Sequence, residues 1–237
     1  MKTKVIGLIG GIAPASTIDY YGSIISGFQK RLSTDEYPPI LINSINMIIM
    51  RDLIIAKRFD QLVDYLSGEI EKLKNGGADF AALASNTPHI VFDELKQQSK
   101  LPMLSIVEAT IAYAVEKKFK KLGLFGTKFT MQSGFYHAGA AKENIEIVLP
   151  DDGSQDFIHD HYMNEFVKGV FRDEVKNELV NIANKLKADF NIEGLILGGT
   201  EIPLILKPAD LPEIELINTT MVHVNSILDY AIENDNR

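Results

Sequence analysis

Short, densely apolar runs alternate along the chain with longer stretches in which apolar positions recur every three or four residues. KVIGLIGG precedes a helical pattern from about Ala15 to Leu32, ILINSIN one from about Asp60 to Asn75, and DFAALAS one from His89 to Gln98. After MLSIV (Met103 to Val107) the pattern begins again: KKLGLFGT and IEIVLP supply strands, LVNIANKLKAD a helix and IEGLILGGT a further strand. Strands separated by helical lengths predict βαβ units, and hence an α/β fold whose sheets are mainly parallel and flanked by helices.

The restart reads as an internal repeat. Gly7, Leu8 and Gly10 match Gly123, Leu124 and Gly126 at an offset of 116, and GADFAALASNT matches the end of NIEGLILGGT with Ser85 against Gly199 at an offset of 114. In each half a strand ends in a polar turn carrying a threonine, Thr87 or Thr200, and open parallel sheets bind ligands at such carboxyl ends. The expectation is two similar lobes, one of about residues 1–105 plus 210–237 and the other of about 106–209.

Composition narrows the partners. With 46% hydrophobic residues in 237, a full core is within reach. A net charge of −8 without an RNP, zinc-finger or basic-helix pattern argues against nucleic acid, which is held mainly by clustered lysine and arginine. No run approaches 18 apolar residues, so no membrane span is expected, and Gly7, Gly10 and Gly11 break the N-terminal apolar run before it reaches signal-peptide length. There are no cysteines, which excludes disulfides and thiolate metal sites and makes the cytoplasm the expected setting.

Four groups of residues carry candidate chemistry. GLIGGIAPAST is a strand, a glycine turn and a helix start, with Pro14 and Ala15 in the first turn and Ser16 or Thr17 able to cap. Its G-x-x-G-G spacing lacks the third glycine of a dinucleotide fingerprint and the lysine of a P-loop, and suits a small carboxylate better than a pyrophosphate. In SNTPH, Asn86 offers an amide, Thr87 a hydroxyl and the turn its N–H groups, a set able to hold a carboxylate; a helix cap followed by proline accounts for Thr87 and Pro88 equally well. GGTEIP repeats the threonine as Thr200 and adds Glu201. Arg51 follows the apolar run NMIIM, and Lys168 sits among Phe166, Val167, Val170 and Phe171; each either snorkels to water or awaits an anion. His159 and His161 have no i,i+4 partner of a metal site and read as a polar loop or helix start, and Asp151 and Asp152 after Pro150 read as a turn.

Together, GLIGGIAPAST, SNTPH, LFGTKFTMQSGFY (Leu124 to Tyr136), Arg51, Lys168 and LILGGTEIPL resemble the aspartate/glutamate racemase family over essentially the whole chain. The resemblance implies two pseudo-symmetric flavodoxin-like lobes, an active site in the cleft between them, a homodimer, and cofactor-independent chemistry at an acidic carbon next to a carboxylate. It further implies that Arg51 and Lys168 take substrate carboxylates, while Pro14, Ala15, Thr17, Asn86, Thr87, Thr127 and Thr200 line the amino-acid site. Small amino or dicarboxylic acids are the implied ligands, with no metal and no pyridoxal phosphate.

In typical members the two strand-end motifs read C-N-T and G-C-T-E, and their two thiols take and return the α-proton on opposite faces. A thiol with a reference pKa of about 8.5, lowered by a helix N-terminus, serves in either protonation state. Here the two positions hold Ser85 and Gly199. Serine is too weak an acid to ionise near pH 7 without an adjacent base, and glycine has no side chain, so two-thiol racemisation is excluded. Three readings follow: racemase-type chemistry with His89, Glu201 or an activated Ser85 in the acid/base role; a lyase or isomerase acting on a related carboxylate; or a carboxylate-binding protein that keeps the clamps without the chemistry.

Overall fold

The computed structural model describes residues 3–232 and contains two compact units, one of residues 3–106 with 223–232 and the other of residues 107–222. Each is built on a four-stranded, all-parallel sheet.

The first unit contains β1 (Ile6–Gly10), β2 (Ile40–Ser44), β3 (Phe80–Leu83) and β4 (Met103–Leu104) in the order β2-β1-β3-β4. Its central strands β1 and β3 are buried at every position, the signature of a sheet covered on both faces. On one face pack α2 (Met47–Ile55), α3 (Phe59–Asn75) and α4 (Phe92–Gln98) through Ile54, Leu62, Leu66, Ile70 and Leu95. On the other, α1 (Pro14–Leu32) presents Tyr20, Ile24 and Phe28 to Val224, Ile227, Leu228 and Ala231 of the C-terminal helix. Gly7 lets β1 and β3 approach closely: a Cβ there would lie 2.7 Å from the Phe80 carbonyl oxygen.

In the second unit, α5 (Ile106–Glu116) leads into β5 (Lys121–Phe125), α6 (Lys128–Gln132), α7 (Phe135–Ala141) and β6 (Glu146–Val148). There follow α8 (Asp152–Asn164), α9 (Asp173–Phe190), β7 (Gly194–Leu197), α10 (Ile202–Ile205), β8 (Glu215–Asn218) and α11 (Thr219–Ile232), whose residues from His223 on belong to the first unit. The sheet order β6-β5-β7-β8 is the counterpart of the first, with β1 matching β5 and β3 matching β7 as the sequence offsets require. α8 and α9 cover one face through Ile158, Tyr162, Leu179, Ile182 and Leu186.

Three stretches differ from the sequence pattern. MLSIV is a strand only over Met103–Leu104, because the chain turns into α5 at Ile106. Asp151 does not end a turn but caps α8, its carboxylate accepting from the Ser154 N–H at 2.9 Å. The chain between about 210 and 222 lies in the second unit, because β8 is short enough to escape a strand pattern yet pairs along β7, Gly194 to Leu197 against Glu215 to Asn218. The ends of the expected first lobe, residues 1–2 and 233–237, lie outside the described residues.

Candidate functional site

The turn after β1 is shaped by backbone constraints. Gly11 adopts φ +82°, and a Cβ on it would lie 2.4 Å from the Ile45 carbonyl oxygen, so only glycine fits. Thr17 completes the turn, its hydroxyl accepting from the Gly11 N–H at 2.8 Å and donating to the Ala13 carbonyl at 3.4 Å. That hydroxyl is therefore committed to the fold. Pro14 opens α1 and is exposed with Ala15, and no side chain caps this helix.

After β3 the chain enters the SNTPH turn. Ser85 and Asn86 are buried, Thr87 is half-buried, and Thr87–Val91 form a 3-10 turn closed by a bond from the His89 N–H to the Asn86 carbonyl at 3.0 Å. The His89 ring is 3% exposed, stacks on Phe92 with centroids 4.8 Å apart and meets His223 edge-on. Its Nε2 accepts from the Ile106 N–H at 3.1 Å, whereas Nδ1 lies near the Ser85 and Asn86 carbonyls without a well-formed hydrogen bond. Burial, reinforced by His223, pushes the His89 pKa down to about 3. His223 donates through Nε2 to the Leu104 carbonyl at 3.2 Å and accepts from the Tyr20 hydroxyl at 2.9 Å, and burial lowers its pKa to about 4. Both rings are neutral at pH 7. His89 thus ties the SNTPH turn to the start of α5, with a neutral ring and one nitrogen engaged by a backbone amide.

In the second unit the turn after β5 carries Thr127, which is buried and caps α6 by accepting from the Thr130 N–H at 3.2 Å. The turn after β7 gathers more chemistry. Glu201 is 3% exposed, and its carboxylate accepts from the Thr200 hydroxyl at 2.8 Å and from the Tyr162 hydroxyl of α8. Burial, with the Glu201 charge next in size, holds the Tyr162 phenol well above its ordinary pKa. Gly199 lies directly beneath that ring: an ideal Cβ on it would stand 2.4 Å from Tyr162 Cε2 and 3.0 Å from Cζ.

The two expected carboxylate clamps are at the surface. Arg51, exposed on α2, bonds Asp52 through Nε at 3.1 Å and Nη2 at 2.9 Å. Lys168, exposed at the end of the Phe166–Lys168 turn, has no ion-pair partner among the described residues. His159 accepts from the Lys128 N–H at 3.3 Å and His161 bonds Glu165 at 2.9 Å, so both serve α8 and its surroundings. No cluster of three potential metal ligands occurs among the described residues.

Within the first unit the fold therefore brings together Ser85, Asn86, Thr87 and His89, and within the second Gly199, Thr200 and Glu201. Sequence reasoning missed Tyr162 and His223. Tyr162 meets Glu201 across 39 positions, and no local spacing announces that contact. His223 sits in an unremarked apolar helix and is linked to Tyr20 across 203 positions.

Comparison with known proteins agrees with the fold and the strand-end motifs. The Asp/Glu/hydantoin racemase family model matches residues 9–227. A broad-specificity amino-acid racemase of Bacillus subtilis (strain 168) is 30% identical over 154 residues, 64% of this chain and 66% of that one. The glutamate racemase of Aquifex aeolicus (strain VF5) is 26% identical over 165 residues, 67% of this chain and 61% of that one, so the matches span just under two thirds of these relatives. Among solved structures, a Yersinia pestis protein assigned to the Asp/Glu racemases superposes with a TM-score of 0.90 at 29% identity, covering 97% of this chain and all of that one. An aspartate racemase homologue from Pyrococcus horikoshii OT3 superposes with a TM-score of 0.86 at 30% identity, covering 98% and 100%. With the family match running through both sheets and both strand-end turns, the chain belongs to the Asp/Glu/hydantoin racemase family.

Proposed function

We propose that the protein is a cofactor-independent isomerase that removes and returns the α-proton of a small amino acid of the aspartate or glutamate type, by a route that uses no thiol. The observation that carries this reading is the Glu201 carboxylate, buried at the end of β7 and held by the Tyr162 and Thr200 hydroxyls. A buried carboxylate with fixed orientation suits a general base, acting directly or through a hydroxyl that it holds, a role worth about 10²–10⁴-fold. Ser85, 7% exposed and too weak an acid to ionise unaided, is assigned the role of a substrate donor rather than a nucleophile. Within the first unit Asn86 and Thr87 offer donors to a carboxylate, Pro14 and Ala15 with the uncapped start of α1 offer N–H groups, and Arg51 offers a cation; within the second, Thr200 offers a hydroxyl and Lys168 a cation for acidic groups. Thr17 and Thr127 hold the turns that carry these groups, and His89 positions the SNTPH turn. The relatives' chemistry supports this reading: a broad-specificity amino-acid racemase and a glutamate racemase are among them. A cytoplasmic homodimer that needs neither pyridoxal phosphate nor metal completes the proposal.

A second reading, binding without turnover, draws support from Lys168, an exposed cation with no partner among the described residues. Proton NMR in deuterated water separates the two. Loss of the α-proton signal of L-aspartate or L-glutamate above that of heat-inactivated protein establishes α-proton chemistry. Line broadening of the ligand without exchange over a day replaces it with the binding reading.

A further inference from the structure

We infer that Tyr162 is the proton-carrying group of the second unit, standing where a side chain on residue 199 would otherwise stand and working as a relay with Glu201. This rests on the α-proton reading above and names the group that performs it.

Space gives the first argument. The ideal Cβ of residue 199 falls 2.4 Å from Tyr162 Cε2, a distance real Cβ atoms do not show, and 3.2 Å from Ile202 Cδ1. The Gly199 backbone is not among the positive-φ glycines, so its conformation does not demand glycine. The ring demands it. Gly199 and Tyr162 are therefore sterically coupled, and the place of a side chain on residue 199 is filled by an aromatic ring from α8.

Bonding gives the second argument. The hydroxyl of that same ring donates to Glu201, whose carboxylate also takes the Thr200 hydroxyl, so the phenol is locked in orientation at the strand end where a reacting group belongs. A phenol alone is a poor base, but a phenol on a carboxylate passes a proton without changing its own charge. In abstraction, the Cα–H bond breaks, its electron pair stays on carbon and spreads into the substrate carboxylate, and the proton goes to Tyr162 Oη while the former Oη proton moves to Glu201. In return, Oη gives its proton to the same face of Cα and takes back the one on Glu201, so this relay accounts for α-proton exchange on one face, and inversion needs delivery to the opposite face by a second group. Tyr162 is neutral before and after, and the charge resides on Glu201 or on the substrate. Burial beside a carboxylate, which holds the phenol proton in place at neutral pH, suits this role.

The test has two arms. In deuterated water, the α-protons of D- and L-aspartate and D- and L-glutamate are followed by NMR with wild type, Tyr162→Phe and Glu201→Gln. Wild type should exchange at least one enantiomer, and each variant should slow that exchange by about 10²–10⁴-fold. Tyr162→Phe keeps the ring, so it should keep its circular dichroism and its ligand-induced line broadening. Glu201→Asp, which keeps a carboxylate, should retain more exchange than Glu201→Gln at equal urea stability, a rescue that a merely structural role would not give. In the second arm, Gly199→Ala should lower the urea midpoint of the wild type and have little effect in a Tyr162→Ala background. Exchange by Tyr162→Phe at the wild-type rate, or equal tolerance of Gly199→Ala in both backgrounds, overturns the relay and leaves the α-proton reading standing. A wild type that binds the acids and exchanges none overturns both.

Discussion

The turns after β3 and β7 occupy the same place in two sheets of the same strand order, yet they are filled on opposite principles. After β3 the imidazole is wrapped in aromatic rings and kept neutral, with one nitrogen spent on a backbone amide. After β7 a carboxylate is buried instead, with two hydroxyls pointed at it. The two units thus share a frame, while each settles its buried polar group with a different partner. The first turn holds structure together and the second holds a charge.

Titration should break the comparison most strongly. His89 and His223 have folded pKa values of about 3 and 4 against 6.5 for the free side chain. Above pH 6.5 both are neutral in either state and add no pH dependence. As pH falls below 6.5 the unfolded chain gains protons that the native first unit refuses, so stability falls, by up to about 6 kcal/mol in all by pH 4. The second unit adds a sensitivity at the other end: the raised pKa values of Tyr162 and Tyr136 mean that stability falls once pH exceeds about 10, where the unfolded phenols ionise, while its partly buried, more weakly lowered His137 and His159 share the acid loss to a smaller degree. Hydrogen exchange read by mass spectrometry should show residues 3–106 opening first in acid and residues 107–222 in alkali. The same unit opening first at both ends would refute the assignment.

Restoring a thiol at each turn should come next. Gly199→Cys drives its Cβ into Tyr162 and should cost about 3 kcal/mol in urea unfolding, whereas Ser85→Cys is nearly isosteric and should cost less than about 1 kcal/mol. A smaller contrast tests the turns after β1 and β5. A Cβ on Gly10 would meet Thr17 Cγ2 at 2.6 Å, while one on Gly126 would meet Thr130 Cβ at 3.0 Å, so Gly10→Ala should cost about 2 kcal/mol and Gly126→Ala about 1 kcal/mol. Smallest of all should be the stability effects of Arg51→Ala and Lys168→Ala, within about 0.5 kcal/mol because both side chains are exposed. Their effect on aspartate affinity should be larger, about 1.5–3 kcal/mol by calorimetry.

Much of this architecture was legible from the chain. β1, β3, β5 and β7 are apolar nearly throughout because they are buried on both faces, and the offsets linking Gly7 to Gly123 and Ser85 to Gly199 follow from the shared topology. The helix Met47–Ile55 was not legible, since NMIIMRDLII is apolar nearly all round and leaves Ile48, Ile49 and Ile55 exposed, so no helical stripe emerges. For the site, the sequence marks Ser85, Gly199, Thr200 and Glu201, but it presents Gly199 as a deletion. Only packing shows the tyrosine that occupies the place of its side chain, because a contact between α8 and a strand end leaves no trace in local spacing.

The passage of α11 from the second unit into the first bears on synthesis. A ribosome releases β1 to β4 early, but Tyr20, Ile24 and Phe28 wait on Val224, Ile227 and Leu228 for their packing partners. Residues 107–222 leave the exit tunnel as one uninterrupted block and can condense while that surface is still bare. The first-made half of the molecule is the last to finish, and a nascent chain paused just before residue 223 would carry an apolar face suited to a chaperone.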